Sequence, residues 1–389
     1  MMRNCPVCGG RKGEAIKRIY MTLPEGIILP EQYDIVSCTE CGFCYADTSA
    51  KKEDYDAYYT LYNSYSGKEE SQEAIISQTP VLEFIKTNLE LKSCILDIGF
   101  GNGMLLRNLR ELGYQNLFGL DPSEDSVRNL ENYGIECAQG TIYDCVSRLE
   151  NSFDAVVMTA VLEHLLEPRE AIEQVFTYLK DGGYFILSVP DYSMCYTVQF
   201  SIPNQFNQEH INYFSEDSLL NLFQGSRLML SDLVEIKDTV PASSEFLRIF
   251  AVQKCAEIDK QAPDAMKKDT RTKGAIERYL VQQEDHQRKN EQIIADLCAK
   301  QTPLVIWGTG SMVMQLLVAT DLAKCNILTF VDGNYLKVGT SINGIKVQSP
   351  AIIRDYPEAA VLVCAMKFGQ EIQRTIEELG LNNQVLFFN

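Results

Sequence analysis

Apolar and polar positions along the middle of the chain alternate in blocks that predict strands and helices in turn. From residue 80 onward, continuous apolar runs such as residues 153–158 and 184–189 are typical of strands that are buried on both faces. Segments with helical spacing separate these runs. Because neighbouring parallel strands need a crossover connection, the pattern predicts an α/β domain with a parallel sheet and helices on both faces.

Prolines, caps and glycines mark where elements are expected to begin and end. Pro168 suits the first turn of a helix, and residues 181–183 (Asp-Gly-Gly) are expected to end that helix. Ser215 is the expected N-cap of a later helix. Residues 228–237 and 246–253 are expected to form a terminal hairpin pair, which would complete a sheet of seven strands with the last one antiparallel.

A glycine-rich turn carries the clearest functional signal. Asp97 stands near the end of a predicted strand, and Gly99, Phe100 and Gly101 follow it before a helical segment. A second acid, Asp121, ends the next apolar run about twenty residues on, where a ribose diol would bind. The glycines alternate, whereas dinucleotide-binding loops usually read G-x-G-x-x-G. The pattern therefore favours S-adenosylmethionine as the cofactor, and an ordinary nucleotide fold with another ligand is the alternative.

Composition and charge narrow the classes of partner. The formal net charge of −18 argues against a nucleic-acid partner, because no basic surface is available to neutralise phosphates. No apolar run is long enough to predict a membrane span, and the N-terminus lacks the pattern of a signal peptide. Thirteen cysteines without an export signal are typical of reduced thiols and a metal site. We therefore expect a cytoplasmic protein with no membrane and no nucleic-acid partner.

Two C-x-x-C-G units predict a structural zinc site. The first contains Cys5 and Cys8, and the second contains Cys38 and Cys41. Each unit is a tight turn that directs two thiolates to one point, and four thiolates close the coordination shell of Zn²⁺. Cys44 is excluded from the predicted ligand set because Tyr, not Gly, follows it. Free buried cysteines or an iron centre are the alternatives.

One of the three histidines has the setting of a general base. His210 lies in a polar and aromatic loop over residues 206–215, which is expected to extend over the strand ends, and Glu209 is placed to orient it. The alternative is that this turn only caps a helix and shapes the pocket. His164 is expected to be structural or adjacent to the cofactor, and His286 is expected to be solvated.

Composition divides the chain into four regions. Residues 1–68 form the predicted zinc-binding domain and end in a tyrosine-rich segment that either packs between domains or covers the site as a lid. Residues 69–253 form the predicted S-adenosylmethionine-binding domain, and residues 254–302 form a polar helical linker. Residues 303–389 repeat the strand, glycine turn and helix pattern of a small Rossmann-like domain. That domain either binds a nucleotide or serves as a scaffold that closes the active site, and we favour the scaffold.

The order of these motifs resembles a known family over nearly the whole chain. The chain resembles the zinc-containing nucleotide-sugar C-methyltransferases of deoxysugar pathways, which belong to the class I methyltransferases. The resemblance rests on the paired cysteines, the Tyr segment, the methyltransferase core, the Glu-His loop and the C-terminal domain, in that order. The resemblance implies that the glycine turn holds the methionine part of the cofactor. It also implies that Asp121 and Pro122 lie at the ribose and Thr141 at the adenine. Asn207 stands where the family has a Tyr that steadies the keto oxygen.

The resemblance leads to a sugar methyltransferase with several alternatives. The first hypothesis is C-methylation of a nucleotide-linked keto sugar, with His210 as the base and Glu209 as its partner. O-methylation of a sugar hydroxyl is the alternative, because the lost Tyr matters less when no enolate forms. A non-catalytic binding module and a nicotinamide-dependent oxidoreductase using Gly308 and Gly310 are weaker hypotheses. The expected partner is a small sugar or nucleotide sugar, and the oligomeric state stays open.

Overall fold

The computed structural model describes residues 3–61, 72–144, 149–197, 206–224, 234–237, 247–254, 266–365 and 369–387. The chain divides into two compact units. The first comprises residues 1–17, 34–198 and 209–277, and the second comprises residues 18–33, 199–208 and 278–389. Within the described ranges, no helix has both the length and the apolar character that crossing a membrane requires.

The strands before residue 254 build two sheets. In chain order they are β1 (Gly13–Tyr20), β2 (Gln32–Cys38), β3 (Cys44–Asp47), β4 (Ile95–Ile98), β5 (Leu117–Asp121), β6 (Glu136–Gln139), β7 (Phe153–Thr159), β8 (Leu179–Pro190), β9 (Asn212–Tyr213), β10 (Val234–Lys237) and β11 (Leu247–Gln253). The helices of this part are α1 (Lys52–Leu61), α2 (Gln72–Asn88), α3 (Met104–Glu111), α4 (Glu124–Glu131), α5 (Pro168–Tyr178) and α6 (Glu216–Phe223). The long helix α7 (Thr272–Ala299) follows. Short 3₁₀ helices follow β7 and β8, at Leu162–His164 and Tyr192–Thr197.

The central sheet confirms the predicted α/β arrangement. Its strand order is β10-β11-β8-β7-β4-β5-β6, and β11 runs antiparallel to both of its neighbours. The strands β8, β7, β4, β5 and β6 are parallel. Both faces of β7 are buried: Val156 and Met158 pack into one apolar cluster, and Ala155 and Val157 pack into another. This burial on both faces explains why β7 reads as one continuous apolar run.

The expected end of α5 at residues 181–183 was wrong. The helix ends at Tyr178, and the two glycines lie inside β8. The amide of Gly182 donates to the carbonyl of Lys254, and the amide of Lys254 donates to the carbonyl of Gly183, both at 2.8 Å. A Cβ on Gly183 would lie 2.9 Å from a backbone carbonyl oxygen, so the glycine serves a close approach within the sheet.

A second, four-stranded sheet has the order β1-β2-β3-β9. Its last strand, β9, comes from far along the chain and pairs antiparallel with β3, with Cys44 opposite Tyr213 and Tyr45 opposite Asn212. The amide of Ala46 also donates to the carbonyl of Ile211 at 2.9 Å. The segment just before β9 carries Glu209 and His210, so backbone pairing attaches that segment to the cysteine-bearing region.

The second unit contains a Rossmann-like sheet. Its further elements are β12 (Leu304–Trp307), α8 (Ser311–Ala319), β13 (Ile327–Val331), β14 (Ser341–Ile342), β15 (Ile345–Gln348), β16 (Ala360–Val363), α9 (Gly369–Glu378) and β17 (Val385–Phe387). The strand order is β14-β15-β13-β12-β16-β17, with β14 antiparallel to β15 and the other pairs parallel. The carboxylate of Asp332, after β13, accepts the amide and the hydroxyl of Thr309 at 2.9 and 2.6 Å. Asp332 thus forms hydrogen bonds to the glycine turn of the same domain.

Candidate active site

The glycine turn after β4 requires backbone that other residues rarely adopt. Gly99, Gly101 and Gly103 have positive φ angles of 68°, 57° and 75°. The amide of Gly99 donates to the carbonyl of Leu120 at 2.7 Å, which keeps the turn against the end of β5. The side chain of Phe100 is buried and lies against Gly119, where a Cβ would come within 2.7 Å of its ring. The turn therefore offers backbone to a ligand, while Phe100 anchors it to the sheet.

This tight fit gives a test with a matched control. A Cβ on Gly99 would lie 2.5 Å from Val161 Cγ2, whereas a Cβ on Gly134, at a similar φ of 67°, would meet nothing within 4 Å. We expect both alanine variants to lose about 1–2 kcal/mol for left-handed backbone. Gly99→Ala should lose a further ~1–3 kcal/mol through overpacking. Urea unfolding measures both variants, and equal losses would contradict the packing described for Gly99.

Asp97 and Asp121 lie beside the turn, and Asp97 has the character of a ligand-binding acid. It is 3% exposed, and among the described residues its Oδ1 has no hydrogen-bond partner. Burial, followed by the charge of Asp121, raises the pKa of Asp97 well above its usual range. An orphaned buried acceptor is satisfied when a ligand brings a donor, and the ammonium group of S-adenosylmethionine is such a donor. The residues present therefore fit this cofactor.

Asp121 shapes the turn as well as facing it. Its Oδ2 accepts the amide of Gly101 at 2.9 Å, and its Oδ1 accepts the amide of Ser123 at 2.9 Å. Burial raises the pKa of Asp121 to about 6, although these two hydrogen bonds lower it. A carboxylate has about four lone-pair sites, so about two remain for the hydroxyls of a ribose. Pro122 follows directly, and its carbonyl accepts the side-chain amide of Gln139 at 3.1 Å.

The expected adenine position contains an acid that the sequence reasoning missed. Thr141 donates through its amide and its hydroxyl to Asp144 Oδ2, at 2.6 and 2.9 Å. The same oxygen would lie 3.3 Å from a Cβ on Gly140. Asp144 therefore brings a carboxylate to the place where Thr141 alone stands in the sequence pattern. The spacing of Thr141 and Asp144 is that of a capping box, in which the later side chain accepts the amide of the first residue, and this signature could have identified Asp144.

A cluster of histidines lies beyond the carboxyl ends of β7 and β8. One ring nitrogen each of His164 and His210 and one carboxylate oxygen of Glu163 lie within 4.8 Å of one another. The two imidazole rings meet edge to face, with centroids 4.9 Å apart. His164 is 8% exposed and Glu163 is fully buried. Since β7 lies between β8 and β4 and all three strands are parallel, this cluster lies at the same edge as the glycine turn.

Tyrosine hydroxyls surround the histidine cluster. Tyr192 places its hydroxyl 3.0 Å from Nδ1 of His210, and Tyr59 places its hydroxyl 3.0 Å from Nδ1 of His164. Tyr58 donates to the carboxylate of Glu209 at 2.7 Å. Tyr58 and Tyr59 belong to the tyrosine-rich segment, whose Tyr62 and Tyr65 lie outside the described residues. The segment is evident in the sequence, but its partners are not, because they are more than a hundred residues away.

The loop that carries His210 is fixed to β7 as well as to β3. The amide of Ile211 donates to the carbonyl of Glu163 at 3.0 Å. The side-chain amide of Asn212, which is completely buried, donates to the carbonyl of Leu165 at 2.6 Å. The carbonyl of Glu209 lies 2.9 Å from Nδ1 of His164. The sequence hypothesis that Glu209 orients His210 stays a prediction, since the described bonds take its carboxylate to Tyr58.

The four predicted zinc ligands converge. Sγ atoms of Cys5, Cys8, Cys38 and Cys41 all lie within 4.8 Å of one another, and the Cys5–Cys41 and Cys8–Cys38 pairs are 3.6 and 3.5 Å apart. A tetrahedral Zn²⁺ with Zn–S bonds of about 2.3 Å needs sulfurs about 3.8 Å apart. The amide of Gly10 faces the sulfur of Cys8 at 3.3 Å.

The predicted exclusion of Cys44 agrees with the position of its sulfur. Cys44 is completely buried, and its thiol donates to the carbonyl of Gly42 at 3.7 Å. Gly42 itself has a φ of 78°, and a Cβ there would collide with the carbonyl of Asp269 at 2.0 Å. The glycine after Cys41 is therefore required by packing as well as by the turn.

Two family models match the chain. Residues 70–227 match a model described as a methyltransferase domain, and residues 300–387 match a model described as C2185-like, N-terminal. The first match covers the glycine turn, the acid pair and the histidine cluster. The middle of the chain is therefore a methyltransferase domain, and its sheet has the class I fold of S-adenosylmethionine-dependent methyltransferases.

Relatives are similar to part of the chain. The ubiquinone biosynthesis O-methyltransferase of Xanthomonas euvesicatoria pv. vesicatoria is 28% identical over 156 residues, which cover 37% of this chain and 65% of that enzyme. The mitochondrial enzyme of the same description from Bos taurus is 29% identical over 114 residues, covering 27% and 30%. The chain thus spans under two thirds of the length of both. The solved 1,6-didemethyltoxoflavin-N1-methyltransferase of Burkholderia thailandensis is 14% identical, with 56% of this chain and 97% of that chain covered, at a TM-score of 0.39.

Proposed function

We propose that the protein transfers a methyl group from S-adenosylmethionine to a sugar, and that the reaction is C-methylation of a nucleotide-linked keto sugar. The observation that carries the proposal is the Tyr192 hydroxyl 3.0 Å from Nδ1 of His210, with the hydroxyls of Tyr58 and Tyr59 on the neighbouring Glu209 and His164. A base and several hydroxyl donors are what proton removal beside a ketone requires.

The cofactor is held by residues on three neighbouring strands. Asp97 accepts the ammonium group, the backbone of Gly99 to Gly101 surrounds the methionine part, and Asp121 with Pro122 holds the ribose. Thr141 and Asp144 together face the adenine. When bound, S-adenosylmethionine supplies an electrophilic methyl group on a sulfonium centre. The chain contributes the opposite charge, because ionised Asp121 creates a negative potential at the strand ends.

His210 acts on the acceptor. Its neutral imidazole removes the proton from the carbon beside the ketone, and the electron pair of that C–H bond becomes the enolate. The hydroxyl of Tyr59 donates toward the oxygen on which the negative charge develops and takes the role of the family's Tyr, for which this chain has Asn207. Glu209, held by Tyr58, keeps a carboxylate near the cluster and favours the imidazolium that forms. The remaining task of the chain is to keep the nucleophilic carbon in line with the methyl group.

O-methylation of a sugar hydroxyl is the second candidate. The specific observation in its favour is the similarity to enzymes described as O-methyltransferases. His210 would then deprotonate the attacking hydroxyl and no enolate would form. The same proposal includes a nucleotide-sugar acceptor and a cytoplasmic location. It also includes a closed structural zinc site on the four cysteines, and it involves no nucleic-acid or membrane partner.

An acceptor screen with methyl-labelled S-adenosylmethionine distinguishes these candidates. Nucleotide-linked 4-keto sugars and their reduced counterparts are offered side by side, and NMR locates the label. A methyl group on the carbon beside the ketone supports C-methylation, and a methyl group on oxygen supports the second candidate. Absence of label from every carbohydrate would leave only a binding role and would reject both.

The buried aspartates make cofactor binding depend on pH. Folding raises the pKa of Asp121 to about 6, from about 4 in the unfolded chain. In the absence of ligand, this group therefore stabilises the folded state at low pH, and that contribution is lost as the pH rises from about 4 to 6. Ionised Asp121 attracts the positively charged cofactor. We therefore expect affinity to fall by up to about tenfold per pH unit below pH ~6. S-adenosylmethionine should raise Tm more at pH ~7.5 than at pH ~5.

Replacing the carboxylate tests this dependence directly. Asp121→Asn should weaken S-adenosylmethionine binding by about 10–100-fold, as expected when a charge-assisted hydrogen bond is lost. It should also flatten the pH dependence measured by calorimetric titration. Asp125→Asn, on the partly exposed face of α4 beside Arg128, is the matched control and should bind normally. An unchanged pH profile in Asp121→Asn would contradict the assigned role.

A further inference from the structure

Tyr192 and the loop of His210 are held by the same short segment. The Tyr192 hydroxyl lies 3.0 Å from Nδ1 of His210. Tyr192 is 1% exposed, and its amide donates to the carbonyl of Phe214 at 2.8 Å. Its ring packs against that of Tyr213, with centroids 4.8 Å apart. Since Tyr213 and Phe214 closely follow His210 in the chain, phenol and imidazole have little freedom to separate.

We propose that Tyr192 is a positioning residue that fixes the tautomer of His210. The proton of the neutral imidazole lies on Nδ1 and is donated to the Tyr192 oxygen, which leaves the lone pair on Nε2. This proposal rests on the proposed role of His210 as the base. A phenol hydroxyl can donate to Nδ1 or accept from it, and the base role requires the lone pair on Nε2, so we assign Tyr192 as the acceptor.

The chemistry follows from that choice. Nε2 takes the proton from the acceptor, and the imidazolium then carries a proton on each nitrogen. The Nδ1–H bond to Tyr192 is retained through the step and becomes charge-assisted, so it strengthens as the positive charge forms. No atom has to rotate while the proton moves. An imidazole with its proton on Nε2 would instead present a donor to the acceptor and could not serve as the base.

Nitrogen NMR of the intact protein measures the tautomer. The chain has only three histidines, so ¹⁵N-histidine labelling gives few signals, and His164→Asn and His210→Asn assign them. We expect the Nδ1–H form at His210 in the native chain. The Nε2–H form at His210 would overturn the proposal. Because the tautomer is measured in the native chain, this test does not depend on whether a Tyr192 variant folds.

Tyr192→Phe adds a kinetic readout. We expect a mixture of His210 tautomers and a kcat lower by about 10–100-fold, smaller than the ~10⁴-fold loss when a triad carboxylate is replaced. The KM for S-adenosylmethionine should stay the same. Tyr114→Phe is the control, because this tyrosine is also buried but donates to the carbonyls of Ile85 and Leu89, at 3.3 and 3.2 Å.

The failures of the two proposals are distinguishable. Unchanged kcat and an unchanged His210 tautomer in Tyr192→Phe, with His210→Asn inactive, would reject the role of Tyr192 and leave the base in place. Full activity of His210→Asn would reject the base itself, whatever the NMR spectrum shows.

Discussion

Replacing His210 with Asn is expected to lower kcat by about 10²–10⁴-fold while the affinity for S-adenosylmethionine stays nearly the same. The separation of the two effects follows from the fold. His210 lies on the loop before β9, whereas the residues assigned to the cofactor lie at or just after the carboxyl ends of β4, β5 and β6. Asn retains a polar side chain of similar width and cannot take up a proton at neutral pH. The loss should therefore fall on proton removal rather than on binding.

Single-turnover kinetics and calorimetric titration measure the two quantities separately. His286→Asn is the matched control, since the sequence places this histidine in the charged stretch of α7 and we expect wild-type turnover. Circular dichroism checks that the variants fold alike. A His210→Asn variant that turns over at nearly the wild-type rate would remove the central residue of the mechanism.

Loss of zinc is expected to have the second large effect. Structural Zn²⁺ typically contributes about 10–16 kcal/mol of apparent binding free energy, which is as large as the whole stability of a domain. Cys8→Ser should therefore unfold the cysteine-bearing region. Because β3 follows Cys41 and pairs with β9, the loop that carries His210 should lose its attachment as well. We expect turnover to fall together with the metal content.

Elemental analysis and limited proteolysis test this expectation. The native chain should hold about one equivalent of zinc, and Cys8→Ser should hold none and be cleaved near its N-terminus. Cys94→Ser, at a partly buried cysteine outside the cluster, is the control and should keep its metal. Metal-free protein that remains folded and active would contradict a structural site. A second equivalent that disappears in His210→Asn would place a metal on Glu163, His164 and His210 and would exclude the base role.

Local chemistry made much of the fold predictable. Continuous apolar runs identified β7 and β8, and the alternating glycines identified the turn after β4, because burial on both faces and positive φ angles restrict the residues allowed there. The convergence of the four cysteines also followed from local spacing. The glycines of β8 were misinterpreted because their role depends on Lys254, a partner about seventy residues away.

The candidate site was predicted less completely for the same reason. The approach of Tyr59 to His164 and of Tyr58 to Glu209 joins segments separated by 105 and 151 residues, and no local pattern encodes it. Tyr192 reads in the sequence as an ordinary residue after a strand. Asp144 is only three residues from Thr141, but its carboxylate reaches Thr141 only because the chain turns between them.

Deuterium incorporation from D₂O into a nucleotide-linked 4-keto sugar tests the central claim most directly. The sugar is incubated with the protein, with and without S-adenosylmethionine, and NMR follows both the carbon beside the ketone and any methyl product. We expect deuterium at that carbon without cofactor, a new carbon-bound methyl group with it, and neither in His210→Asn. A methyl group on oxygen without carbon-bound exchange, or no methyl transfer at all, would contradict enolate chemistry at this site.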